Sequence, residues 1–136
     1  MRALQSRAWL LLPAIVVCAF DVVLTLAGQD DAYWRGDYGL AIEGNPLVRP
    51  ALAYSPWLFA GVALAWGVLF SAVVLLWRHR AAEWLAVLNT VGHTLGGASW
   101  LARLGAVGWV FVVLYLVAVT LGTRWCWRHA WNGSEP

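Results

Sequence analysis

The sequence predicts an all-α membrane protein: a four-transmembrane-helix bundle with both termini in the cytoplasm and a long outer loop between helices 1 and 2. Three observations carry the prediction. Apolar residues make up 62% of the 136-residue chain and charged residues only 12%, against roughly 25% charged in soluble domains. The apolar residues gather into long segments rather than alternating with polar ones. Of the eleven Trp, several stand at segment ends, where the amphipathic indole prefers the headgroup region. A soluble core of this size cannot enclose so much apolar surface, whereas lipid replaces water around the outer faces. The length allows one integral membrane domain over residues 1–136.

The first apolar segment runs from about Ala8 to Gly28, the second from Ser55 to Trp77, the third from Trp84 to about Ala102, and the fourth from about Ala106 to Trp125. Each approaches or exceeds the ~20 residues that cross a ~30 Å hydrocarbon layer. Backbone amides in lipid must bond within their own segment, so these are helices. Trp9, Trp57, Trp77, Trp84 and Trp125 mark the ends, and Trp66 falls mid-span. Arg2 and Arg7 before a short apolar run ending in Thr25-Leu26-Ala27 also fit a cleavable signal peptide; the segment is read as a retained anchor.

Orientation follows from Arg, since the chain has nine Arg and no Lys. With the N-terminus inside, Arg2, Arg7, Arg78, Arg80, Arg124 and Arg128 face the cytoplasm, while Arg35, Arg49 and Arg103 lie outside. That excess favours both termini inside. Asn132-Gly133-Ser134 is then a glycosylation sequon in form only. No basic run suited to phosphate binding is present, so no nucleic-acid partner is expected. Cys18 and Cys126 sit in different apolar segments and make a poor disulfide or metal pair.

The second and third connections are short, which makes the joined helices antiparallel neighbours. The first spans Gln29 to Tyr54 and is too polar to cross. Asn45-Pro46 within it resembles a helix start, with Asn as N-cap and Pro at the first helical position. Pro50 and Pro56 limit any helix begun there to a turn or two, so a short interfacial or re-entrant piece is expected.

A few polar residues need a reason to be there. Asp21 lies seven residues before Gly28, hence ~10 Å below the outer end of helix 1. A lone carboxylate there costs about 2.5–3.5 kcal/mol, so Asp21 must face the bundle and find a partner or a proton. Thr25 is one turn further out on the same face. His93 is ~15 Å from Arg103 along helix 3, with Asn89 one turn inward. An Asp21–His93 hydrogen bond is open if helices 1 and 3 touch. Small residues at Gly92, Gly96 and Gly97, and a stripe of Ala63, Gly67 and Ser71, permit close helix approach. Glu43 and Asn45 form either a capped turn in water or a segment folded back over the outer mouth of the bundle, near Asp21; spacing alone does not decide.

The pattern Asp21-x3-Thr25, then Glu43-x-Asn45-Pro46-Leu47, a hydrophobic helix and a late His resembles a family of small bacterial and archaeal membrane proteins defined by a domain of unknown function. The likeness covers the first two helices and the loop between them. It implies that Asp21, Thr25, Glu43, Asn45 and Pro46 belong together and that the chain is a multi-pass protein of a prokaryotic inner membrane. It brings no activity with it.

Three functions are consistent with these residues. The leading one is non-catalytic: a polar cluster of Asp21, Thr25, Glu43, Asn45, Asn89 and His93 that locks the outer loop or binds a partner, lipid or ion. The second is an intramembrane enzyme, with Asp21, Glu43 and His93 as metal ligands or an acid–base set. The third is proton or small-solute transport, which four helices would support only as a homo-oligomer or within a larger membrane complex. The lipid bilayer is the one partner common to all three. No cofactor is expected: haem needs a second buried His, and the dinucleotide and P-loop fingerprints are absent.

Overall fold

A computed structural model of the chain describes residues 2–77 and 79–132; Arg78 and the Gly133-Ser134 part of the sequon lie outside them. Among the described residues every regular element is helical. Helix α1 covers Arg2–Ala27, and the connection after it folds into α2 (Asp31–Trp34), a 3-10 turn (Tyr38–Leu40) and α3 (Arg49–Tyr54). The long helices α4 (Pro56–Leu76), α5 (Arg80–Ala102) and α6 (Gly105–Asn132) follow. Three of them, α1, α4 and α6, contain stretches long and apolar enough to cross a membrane: Ser6–Ala27, Pro56–Leu76 and Gly105–Trp131. The fourth expected span, α5, carries Arg80, Glu83, Asn89 and His93 and does not reach the same hydropathy.

The boundaries differ from expectation in physically simple ways. α5 begins at Arg80 rather than Trp84, because His79 acts as N-cap and its Nδ1 accepts from the Ala81 N–H. α6 runs on to Asn132, well past Trp125. In the first connection the helix begins at Arg49, not at Pro46: Asn45 Oδ1 accepts from the Leu47 N–H and its carbonyl from the Val48 and Arg49 N–H groups. Asn45-Pro46 is therefore a turn ahead of the helix, and Pro50 takes the tolerated early position in α3. Gly105, at φ +71°, makes the tight α5–α6 link, a left-handed conformation in which Gly has no Cβ penalty.

α1 is the central helix, packed against α4, α5 and α6; α5 packs mainly on α1 and α6 and meets α4 over only a short stretch. The short α4–α5 link thus makes them neighbours in sequence without closing the seam between them. At the end holding the chain termini, Arg7 donates to the carbonyls of Val74 and Trp77, which satisfies groups left open at the C-terminus of α4. Trp9 meets Trp125 edge-on at 5.1 Å and the His129 ring at 5.1 Å, fastening α1 to α6. Leu11, Ala14, Phe70, Val74 and Ala86 fill the core of this half.

At the opposite, loop end a second core forms from Tyr33, Ala41, Leu52 and Phe59, with Val22 and Leu26 of α1 packed against it. Asp30 caps α2 by accepting from the Tyr33 N–H at 2.9 Å. The Tyr33 hydroxyl donates to Leu52 O at 3.0 Å. Gln29 locks the connection to α1: its Nε2 donates to Thr25 O and Ile42 O, and its Oε1 accepts from the Ile42 N–H at 2.8 Å. The connection is a folded cap with its backbone groups paired internally. Large parts of α4 and α6 stay exposed, with Leu64, Val68, Leu69, Val110, Val113 and Leu114 among their open apolar side chains. A patch of that extent suits lipid rather than water.

Tyr33→Ala removes a fully buried ring and its hydrogen bond, and is expected to lower the unfolding free energy in detergent by about 3–5 kcal/mol. Leu47→Ala, at a side chain 88% exposed, is expected to change it by less than about 0.5 kcal/mol. Equal denaturant midpoints for the two variants would contradict a packed cap.

Candidate functional site

Each chemically distinctive side chain reaches its place through its helix. Cys18, Asp21, Val22 and Thr25 follow i, i+3/i+4 spacing and share one face of α1. Asn89, Gly92, His93 and Gly96 do the same on α5. α1 and α5 run parallel, which sets Asp21 beside His93. The His93 Nδ1–H donates to Asp21 Oδ2 at 2.8 Å, in a pair whose side chains are 26% and 18% exposed. A carboxylate on Nδ1 fixes the ring orientation and leaves Nε2 as the second functional nitrogen. The Cys18 thiol lies against the same imidazole.

The approach depends on Gly96. A Cβ at that position would stand 2.6 Å from both carboxylate oxygens of Asp21, closer than any real contact. Gly97 plays the same part toward α6, where a Cβ would lie 3.1 Å from the Tyr115 hydroxyl. Gly92 and Gly67 face open space, so those members of the small-residue stripes do not serve close packing.

Above the pair opens a cavity of about 780 Å³. Asp21, Thr25, Glu43, Asn45, Asn89 and His93 all line it, together with Trp66, Trp100 and Arg103. The Glu43–Val48 turn thus reaches the space above Asp21 rather than standing clear of the helices. Glu43 accepts the Asn45 N–H through Oε1 at 2.7 Å, which leaves its second oxygen outside that bond. Asn89 bridges two helices: Oδ1 accepts from Trp66 Nε1 at 3.2 Å, and Nδ2 reaches Ala14 O at 3.5 Å. Thr25 is 2% exposed and its carbonyl holds Gln29. Further toward the chain termini lies the apolar core around Ala14, Phe70 and Ala86.

The six residues share a cavity but do not make a metal site. No group of three His, Cys, Asp or Glu among the described residues comes together closely enough to hold an ion. Glu43 belongs to the cap and caps its own turn, so the Asp21, Glu43, His93 ligand set does not assemble. Ser99 also lines the cavity, contrary to its helical offset from His93, but its hydroxyl donates to Gly96 O and is not poised as a nucleophile. A second groove of about 760 Å³ lies between α5 and α6. Its Thr90, Thr94 and Thr120 hydroxyls donate to carbonyls of their own helices, and Arg124 and Arg128 line its end toward the C-terminus.

Several residues of the site are not singled out by sequence reasoning. Cys18 is recognisable in principle, since it sits three residues before Asp21 on one helical face. Arg103 reads in sequence only as an orientation charge; it stacks over Trp100 at 3.9 Å. Gln29 and Trp66 carry no local pattern that announces their partners. No protein-family model, no curated protein and no solved structure matches this chain. The likeness to a family therefore rests on its short motifs alone, and the site is read from its geometry.

Gly96→Ala is expected to cost about 1–3 kcal/mol by forcing α1 from α5, while Gly92→Ala is expected to be neutral or slightly stabilising. Parallel denaturant titrations in one detergent compare them directly; indistinguishable variants would contradict the close approach. For the ion pair, Asp21→Asn and His93→Gln are each expected to destabilise by about 1–3 kcal/mol. The double variant should lose less than the sum, and strict additivity in this mutant cycle would show that the two side chains do not interact.

Proposed function

We propose that the chain is a four-span integral membrane protein whose outer cavity is a non-catalytic ligand-binding site. Support for the fourth span comes from the packing of α5. It has 23 residues, ~34 Å at helical rise, and lies against α1 and α6, both apolar enough to cross. A helix between two spanning neighbours needs less lipid-facing apolar surface, which fits its Asn89, His93 and buried Thr90 and Thr94. The Arg distribution assigns the loop end to the outside and both termini to the cytoplasm. Its resemblance to small prokaryotic membrane proteins supports a prokaryotic inner membrane as the location.

The observation that carries the binding reading is the cavity itself. It has the volume of a small-molecule site, mixed apolar and polar walls, and a half-buried Asp–His pair at depth. A packed apolar core lies on its side toward the termini, which favours binding over passage. It has an imidazole paired with a carboxylate but no poised nucleophile or gathered ligand set beside it, which favours binding over catalysis. The cap over it is held by Gln29 and Tyr33, so Asp21 and His93 are not required merely to retain the loop.

Gly92 gives a direct test because it lines the cavity and no protein atom lies within 4 Å of where its Cβ would stand. Gly92→Phe is expected to fold as wild type and to lose small amphiphiles that wild-type protein retains through mild-detergent purification, as read by native mass spectrometry. If wild type retains nothing and the two proteins give the same spectra, the binding reading fails. For topology, Asp37→Cys and Leu104→Cys are expected to react with a membrane-impermeant maleimide on intact cells, and Arg80→Cys is expected not to react. Labelling of Arg80→Cys, or of only one of the other two, would overturn the four-span arrangement.

A further inference from the structure

The charges around the cavity are layered. Deep in it, Asp21 and His93 are committed to each other by a 2.8 Å hydrogen bond. Glu43, from the cap, and Arg103, at the C-cap of α5, line the same cavity, and neither is in an ion pair among the described residues. One uncompensated anion and one uncompensated cation therefore remain toward the loop end. Arg103 is held over Trp100, which leaves the edge of its guanidinium plane free for a bidentate oxyanion. Glu43 has one oxygen committed to the Asn45 N–H, and the other accepts a donor.

The cavity also opens sideways. Its walls come from α4 (Phe59, Val62, Trp66) and α5 (Leu88, Asn89, His93), the two helices that meet only briefly. Val62, Trp66 and Leu88 line it and are 40%, 48% and 64% exposed. In a bilayer that seam faces hydrocarbon. From Arg103 to Asn89 the cavity follows α5 for fourteen residues, ~21 Å, far deeper than a soluble headgroup alone requires.

Resting on the binding reading above, we infer that the cavity takes a phospholipid with a zwitterionic, primary-ammonium headgroup, entering between α4 and α5. The phosphodiester meets Arg103, the ammonium donates to Glu43, the ester region lies over the hydrogen-bonded Asp21–His93 pair, and an acyl chain leaves past Val62 and Leu88. A quaternary ammonium fits less well. It has no N–H for Glu43, and Trp100, whose face would hold it, already carries Arg103.

The experiment uses the full chain in nanodiscs, with phosphatidylethanolamine, phosphatidylcholine and phosphatidylglycerol of matched acyl chains competing for the protein. Bound lipid is read by native mass spectrometry after release. Wild type is expected to enrich the ethanolamine lipid about tenfold over both others, the ratio a charge-assisted hydrogen bond supplies. Glu43→Gln is expected to abolish its preference over the glycerol lipid, and Arg103→Gln to lower retention of all three. Asp31→Asn and Arg35→Gln, charge changes away from the cavity, are expected to leave the ratios unchanged. Equal enrichment of the three lipids, or preference for choline or glycerol headgroups, overturns the headgroup assignment while Gly92→Phe still displaces what is bound. Displacement by soluble phosphoethanolamine at concentrations matching the lipid overturns entry through the seam. Retention of no lipid by wild type, or equal retention by wild type and Gly92→Phe, overturns the cavity reading itself.

Discussion

An ionised carboxylate two turns inside an apolar helix needs a partner, and the Asp21–His93 hydrogen bond meets that need. At 2.8 Å it requires α5 to lie directly on α1, in parallel and in one register. Gly96 makes the distance possible, since any side chain there would occupy the space of the carboxylate. α6 then closes on the other side of α5 over Gly97. The centre of the bundle is consequently α1–α5–α6, and α4 is left to pack on the remaining flank of α1. The loose seam between α4 and α5 is a consequence of that arrangement, and the seam is what gives the cavity its side wall.

The connection after α1 completes the space from above. Its polar backbone finds partners within itself, through the Asp30 cap, the Asn45 turn and the two-way bond between Gln29 and Ile42. Its apolar side chains enclose Tyr33 and Leu52, both fully buried. A cap satisfied in this way does not draw on Glu43 for its stability beyond one local hydrogen bond. That independence underlies the proposal that Glu43 and Arg103 face a ligand while Asp21 and His93 hold the helices at the right spacing beneath it. The division also separates two roles that a single polar cluster would otherwise blur, structural pairing at depth and recognition at the mouth.

How much of this was legible in the sequence depends on the range of the interaction. Apolar runs and Trp positions located all four long helices, because hydropathy and interface preference act residue by residue. The meeting of Asp21 with His93 was visible as an option, two costly residues at comparable depth. Which glycine mattered was not: Gly92, Gly96 and Gly97 look alike in sequence, and only the facing side chain distinguishes them. The helix start placed at Asn45-Pro46 failed because the Asn side chain bonds two residues on, making a turn that competes with a helical cap. The Tyr33–Leu52 and Gln29–Ile42 contacts join residues with no periodic relation, so nothing in the local pattern pointed to them. The ligand set Asp21, Glu43, His93 failed for the same reason, since the position of Glu43 is fixed by the fold of the cap.

The dependence of the whole arrangement on one side-chain pair is open to direct observation at the imidazole. Nitrogen-15 NMR of His93 in nanodiscs reads the protonation and hydrogen bonding of each ring nitrogen separately. The structure predicts a protonated Nδ1 whose resonance moves on Asp21→Asn and stays in place on Asp31→Asn, a cap acid outside the cavity. A bare Nδ1, or a resonance indifferent to Asp21→Asn, would contradict the pairing and with it the register of α1 on α5.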